Sequence, residues 1–175
     1  AELVKTAERN VIRIETMLRQ FLDFARGFEE EETRSVPLRP LFQQAKEACG
    51  MPETVVLEVP TDIVVGVKEA AVLRALENLL SNALRYGKPP IEIVAGIEND
   101  NLIIEVRDAG EGMTADDVPV LMRPFARGNS ARNGEGAGLG LAIVDQVARA
   151  HGGIVEFEEK PQHFVVRMCL PQDNL

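Results

Sequence analysis

The chain has 175 residues, 45% of them hydrophobic, which is enough apolar material for one domain-sized core and too much for a disordered segment. Nineteen basic residues against twenty-eight acidic ones leave a net charge of −9, which argues against nonspecific binding to nucleic acid or anionic lipid, since both need a basic surface. No run approaches the ~18 uninterrupted apolar residues of a membrane span, and the N-terminus has no basic-then-apolar leader. Cys49 and Cys169 lie among apolar neighbours and read as reduced core thiols. Two cysteines and two histidines, all scattered, do not make a zinc-ligand set. The absence of Trp and the single Tyr leave little material for base-stacking platforms.

The first element in the chain is the most periodic. Leu3, Ala7, Val11, Ile14, Leu18, Phe21, Ala25 and Phe28 follow alternating steps of three and four, a heptad seam that predicts one amphipathic helix over 2–28. It starts without a capping signal, as if cut inside the helix. Gly27 and Glu29-Glu30-Glu31-Glu32 break the pattern and read as a solvated linker. Pro40 opens a short helix to about Ala48, and two short β-rich runs, Val55–Val59 and Ile63–Val67, flank Pro60-Thr61-Asp62. Residues 68–86 have helical periodicity. Ile91–Ile97 and Leu102–Asp108 read as a hairpin around Glu98-Asn99-Asp100-Asn101. The stretch 109–138 carries glycines and arginines with weak order signals. Leu139–Ala150 is a helix closed by Gly152-Gly153, and Ile154–Glu158 with Phe164–Leu170 make a last strand pair. Adjacent hairpins among the helices predict an α+β, two-layer sandwich rather than a regular βαβ repeat.

Three clusters carry chemical potential. On the helix 68–86, Val72, Leu73, Leu76, Leu79, Leu80, Ala83 and Leu84 share one arc, while Asn78, Asn82 and Arg85 form a narrow stripe opposite. Each mid-helix asparagine costs roughly half a kcal/mol relative to alanine. The stripe reads either as surface amides or as amide oxygens offered to a hard cation, with an arginine one turn away for phosphate. Asp108-Ala109-Gly110-Glu111-Gly112 follows a strand. It is either a turn or a carboxylate that accepts from an amino group beside glycines that admit a flat ring. Gly134, Gly136, Gly138 and Gly140 alternate into a helix, whose N-terminus favours phosphate. Neither the lysine-bearing phosphate loop nor the GxGxxG dinucleotide spacing is present. Pro119–Gly134 adds Arg123, Arg127 and Arg132 with no acid, and Phe125 reads as a hinge plug or a core contact.

In this order the stretches resemble the ATP-binding catalytic domain of sensor histidine kinases. That is the Bergerat fold, shared with type II topoisomerases, MutL proteins and a heat-shock chaperone family. NLLSNALRYG (78–87) is similar to the N box, DAGEG (108–112) to the first glycine box, RPFARG (123–128) to the F box and GEGAGLGLAIV (134–144) to the second glycine box. RPFARGNSAR followed by GLGLAIV is similar to osmosensor kinases of the EnvZ type. The resemblance implies a mixed, mostly antiparallel sheet with helices on one face, preceded by a long amphipathic helix. It divides the chain into the second helix of a dimerisation and phosphotransfer hairpin (1–28), a linker (29–36) and an ATP-binding domain (37–175).

By that resemblance the cofactors are ATP and Mg²⁺, and Asn82 is the main metal ligand. Asn78, assisting the metal, Arg85, near the phosphates, and Arg127, at the lid, take catalytic roles. Tyr86, Asp108, Gly110, Gly112, Phe125, Arg132, Gly136, Gly138, Leu139 and Gly140 contact nucleotide, with Asp108 reading the adenine amino group. Ala109 stands where the family usually has Asn. The implied partners are a histidine-bearing dimerisation helix, a response-regulator receiver domain and a second copy in the parent protein. No nucleic acid or membrane contact is implied for this segment, which would be the cytoplasmic portion of an inner-membrane sensor. The family's phosphoacceptor histidine belongs to a first hairpin helix that this sequence does not contain, and His151 and His163 read as structural. The expectation is therefore a core that binds nucleotide without phosphorylating itself. A serine-directed kinase of the same fold, as in anti-sigma factors, and a nucleotide-gated interaction module are the alternatives.

Overall fold

The computed structural model describes residues 2–50, 53–110, 112, 117–126, 138–160 and 163–172, apart from the side chains of Arg13 and Lys160. The elements in order are α1 (Glu2–Arg26), β1 (Arg34–Pro37), α2 (Leu38–Ala48), β2 (Val55–Glu58), β3 (Val64–Val67), α3 (Glu69–Tyr86), β4 (Ile91–Glu98), β5 (Asn101–Asp108), α4 (Val118–Leu121), α5 (Gly140–Ala150), β6 (Ile154–Lys160) and β7 (His163–Pro171).

Five strands form one sheet in the order β2-β4-β5-β7-β6, with only the β2–β4 pair parallel. The period of two puts Ile91, Ile93, Ala95, Leu102, Ile104, Val106, Phe164, Val166, Met168 and Leu170 on the face that meets the helices, and all are buried. β4 and β5 are joined by Asn99-Asp100, both at positive φ (48° and 60°). That is the conformation a two-residue hairpin loop demands and that Asn and Asp tolerate. The hairpin is thus tighter than the sequence pattern suggests. The runs flanking Pro60-Thr61-Asp62 are both strands, but they do not pair with each other: β3 pairs antiparallel with β1 as a separate two-stranded sheet.

α2 begins at Leu38, two residues before Pro40. The proline sits in the first turn, where its missing N–H would have no helical partner anyway. Leu38, Leu41, Phe42 and Ala45 repeat at helical spacing and are buried. α3 is covered on more sides than its apolar arc implies, because α2 and α5 both pack along it. Asn78 is consequently 5% exposed rather than on a solvent-facing stripe.

The linker expected over 29–36 is not a solvated tether along its length. Residues 34–36 belong to β1, where Val36 is buried against the core. Glu31 reaches the start of α3, its two carboxylate oxygens accepting from Ala70 N (2.7 Å) and Ala71 N (3.0 Å). This caps two orphan donors with a negative charge at the positive end of the helix dipole. Lys68 Nζ donates to the carbonyls of Glu29 (2.7 Å) and Glu31 (2.6 Å). The acidic run is held because it lies beside a helix N-terminus and a buried lysine.

His151, at the end of α5, joins the same corner. Its Nε2 accepts from Lys68 N (2.9 Å), so its Nδ1 carries the proton and donates to Val147 O (2.7 Å). Burial pushes its pKa down, against the opposing pull of the Val147 hydrogen bond. The ring is a neutral staple between α5 and α3, which accords with its structural reading. On the sheet's other face Glu105 is 4% exposed beneath Arg107 and Arg167. Burial pushes its carboxyl pKa up, but the two arginines more than offset that and hold it below its ordinary value.

α1 is a single helix, as its heptad seam predicts, and most of its apolar side chains face solvent: Leu3, Val11, Ile14 and Leu18 are exposed. The helix ends at Arg26 rather than running to 28, because Gly27 turns the chain at φ +67°. Among the described residues, Phe24 near its C-terminal end and Phe28 just beyond it pack on the core. No described helix is long and apolar enough to cross a membrane.

Candidate nucleotide-binding site

The site has two ends, and the first is built on strand ends. Asp108 is the last residue of β5, opposite Ile91 of β4 and Phe164 of β7. Its carboxylate is mostly buried. Oδ1 accepts from Gly110 N (2.7 Å) and Lys88 N (3.3 Å), while Oδ2 has no hydrogen-bond partner among the described residues. Ala109 N donates to Lys88 O (2.8 Å), tying the strand end to the segment after α3. A Cβ on Gly87 would collide with Asp108 Cγ and stand 2.5 Å from Oδ1, and one on Gly110 would stand 2.6 Å from Oδ1. Two glycines therefore wall the carboxylate with bare backbone. At Gly112, φ is +70° and a Cβ would overlap the Phe164 side chain, so backbone approaches that side chain closely. Phe164 in turn stacks on Phe157 at 6.3 Å.

The second end is made of helices. A Cβ on Gly140, the first residue of α5, would lie 3.2 Å from Asn78 Oδ1 and 3.5–3.6 Å from the Asn82 amide. The two asparagines of α3 thus converge on the N-terminus of α5, where the cap residue Leu139 makes no side-chain hydrogen bond to the first N–H groups. Helix N-terminal N–H groups and the positive end of the dipole suit an anion there. Gly138 has φ +69°, and a Cβ on it would run into the backbone of Phe125 and Ala126.

The structure separates the remaining expected residues. Leu139 is 1% exposed and its side chain lies in the core, so only its backbone is available to a ligand. Arg85 and Tyr86 are exposed at the end of α3, the guanidinium 5.9 Å from the ring centroid. Phe125 is not a core residue: it holds φ +65°, is 60% exposed, and its ring approaches Phe21 of α1 at 6.5 Å. Arg127, Arg132 and Gly136 lie outside the described residues. Gly87 reads from sequence only as the end of the stretch 78–87, since a glycine directly after a helix signals a cap; its close approach to Asp108 emerges from the structure.

Both implied groups can be tested against these residues. An Asp108 oxygen with no partner among the described residues, set between glycines, fits an exocyclic amino group on a flat ring. Among the described residues no three or more His, Cys, Asp or Glu side chains converge. What is offered to a cation is a pair of neutral amide groups beside an anion-favouring helix end. That fits Mg²⁺, which takes few protein ligands and shares the rest with phosphate and water.

Comparison with known proteins decides the family. Residues 67–174 match the family model for histidine kinase-, DNA gyrase B- and HSP90-like ATPases. The chain belongs to this family. It is 43% identical over 89 residues to the sensor histidine kinase CpxA of Escherichia coli, a match covering 50% of the chain and 20% of CpxA. The solved histidine kinase domain of the E. coli osmosensor EnvZ is 30% identical, covering 83% of this chain and 91% of that one, with a TM-score of 0.62. The fold of the Acinetobacter baumannii histidine kinase AdeS matches 99% of this chain and 86% of its own, with a TM-score of 0.75 at 18% identity. The chain therefore carries the ATP-binding catalytic core of this family, in the Bergerat fold. Its match spans only a fifth of a curated relative such as CpxA.

Proposed function

We propose that this chain is the catalytic core of a two-component sensor histidine kinase, binding Mg–ATP and passing the γ-phosphoryl group to a histidine on a dimerisation helix, for relay to a response-regulator aspartate. The observation that carries the reading is the convergence of Asn78 and Asn82 on the N-terminus of α5, at the opposite end of the site from Asp108. In this reading residues 1–28 are the second hairpin helix, 37–175 the ATP-binding domain, and the exposed apolar stripe of α1 packs in a homodimeric bundle in the parent protein. The parent is an inner-membrane sensor with this segment on its cytoplasmic side.

Each residue has a physical task. Asp108 accepts from the adenine amino group through Oδ2, while Gly87, Gly110 and Gly112 keep side chains out of the plane of the base. The first N–H groups of α5 and the glycines at 138 and 140 receive phosphate oxygens at close backbone distance. Asn82, assisted by Asn78, holds the cation by amide oxygen, and Mg²⁺ supplies neutralisation of phosphate charge. Arg85 and Arg127 add positive charge near the transferring group, and Arg132 does the same at the lid. Phosphoryl transfer asks mainly for positioning and charge neutralisation, which is what these groups provide.

The test is transfer in trans. The chain, γ-labelled ATP and a fragment bearing the acceptor histidine helix are mixed, beside the Asn82→Ala variant. Label on the fragment, lost with Asn82→Ala, is the expected result. No transfer to any such fragment, with nucleotide bound, would leave a nucleotide-gated interaction module as the function.

A further inference from the structure

Asn78 is buried where three elements meet, and one of them is α1. Its Nδ2 donates to the carbonyl of Arg74 one turn back (2.8 Å), which leaves Oδ1 pointing toward Gly140. Gln20 of α1 reaches that oxygen with Nε2 at 3.4 Å. The same turn of α1 is anchored nearby. Asp23 Oδ2 lies 2.8 Å from Arg74 Nε as an ion pair, and Arg74 also pairs with Glu77 (2.7 Å). Gln146 of α5 donates to Phe24 O (3.0 Å), and Phe21 faces Phe125. So Arg74 binds α1 with its guanidinium and orients Asn78 with its carbonyl.

We propose that Gln20 is a positioning residue for the metal end of the site. It donates to one acceptor position of Asn78 Oδ1 and holds the amide so that the second acceptor position faces Gly140 and the cation. This rests on the reading of Asn78 and Asn82 as cation-facing. An amide oxygen in a site this buried needs a donor, and a carbonyl oxygen has two lone pairs, so Gln20 and a cation can be accommodated together. By linkage, seating α1 then favours metal-bound nucleotide, and metal-bound nucleotide favours the seat by the same factor.

The experiment is calorimetric titration of the full chain with ATP, with and without Mg²⁺, for the wild type, Gln20→Met, Asn78→Ala and the double variant. Methionine keeps the length and helix propensity of glutamine and removes the donor. Gln20→Met is expected to reduce the magnesium-dependent gain in affinity about 3- to 10-fold, to leave metal-free ATP affinity unchanged, and to add nothing in the Asn78→Ala background. A gain kept in full by Gln20→Met, an equal loss with and without Mg²⁺, or additive effects in the double variant would overturn the proposal alone. A wild type with no magnesium-dependent gain would overturn the cation reading of the asparagines and this proposal with it. Asp23→Ala loosens the seat without touching the amide and is expected to move the same gain in the same direction by less; no movement would contradict the coupling.

Discussion

The two ends of the site are built from different materials. The Asp108 end is backbone: a strand terminus, glycines at 87, 110 and 112, and hydrogen bonds from main-chain N–H groups. The asparagine end is side chain on helix, with two amides from α3, the first residue of α5 and a glutamine from α1. Backbone geometry is set by the sheet and does not depend on any one long side chain. Amide orientation depends on every donor around it. The first end is therefore rigid by construction, and the second is open to adjustment by whatever moves α1.

The largest expected effect tests the rigid end. Asp108→Asn exchanges one acceptor oxygen for a donor and removes the charge, and should weaken ATP binding about 10- to 100-fold with little change in melting temperature. Gly87→Ala comes next, because its Cβ collides with the Asp108 carboxyl. It should cost about 1–3 kcal/mol of stability and weaken ATP binding alongside, measured by denaturant unfolding and titration. If ATP affinity survived that displacement, the adenine end would not depend on glycine walls.

Two smaller effects lie away from both ends. Glu105→Gln loses charge-assisted bonds to Arg107 and Arg167 and should lower stability by about 1–3 kcal/mol while leaving nucleotide affinity unchanged. The Glu105 carboxyl has a lowered pKa in the folded chain, so its contribution is complete above the ordinary glutamate range and is lost as pH falls through the depressed value. For His151 the folded pKa is also lowered. The unfolded chain binds the proton more readily, so this contribution is whole above about pH 6.5 and declines as pH falls below it. His151→Ala should cost about 1 kcal/mol at neutral pH and flatten that part of the pH–stability curve, followed by urea unfolding at several pH values.

The same contrast explains what could be read from the sequence. Glycine spacing at 108–112 and 134–140 is local information, so both boxes and the strand before Asp108 stand out. Periodicity also places α3, the β4–β5 hairpin and α5 to within a residue or two. The partners of Asn78 are not local: Gln20 lies 58 residues away, and nothing in the heptad seam marks it as facing α3. Glu31 likewise resembles its acidic neighbours, and only the position of the α3 N-terminus singles it out. The burial of Asn78 itself was hidden because a helical wheel shows one covered face, whereas α3 is covered by the sheet, α2 and α5 together.

In the proposed function, Asp108 is the group that selects adenine. Titration of the chain with Mg–ATP and Mg–GTP, for the wild type and Asp108→Asn, puts that role to the test. Guanine presents a carbonyl where adenine presents its amino group, so saturable ATP binding is expected, with GTP weaker by about an order of magnitude or more and the preference abolished in Asp108→Asn. Equal affinity for the two nucleotides in the wild type, or a preference that survives in Asp108→Asn, would contradict it.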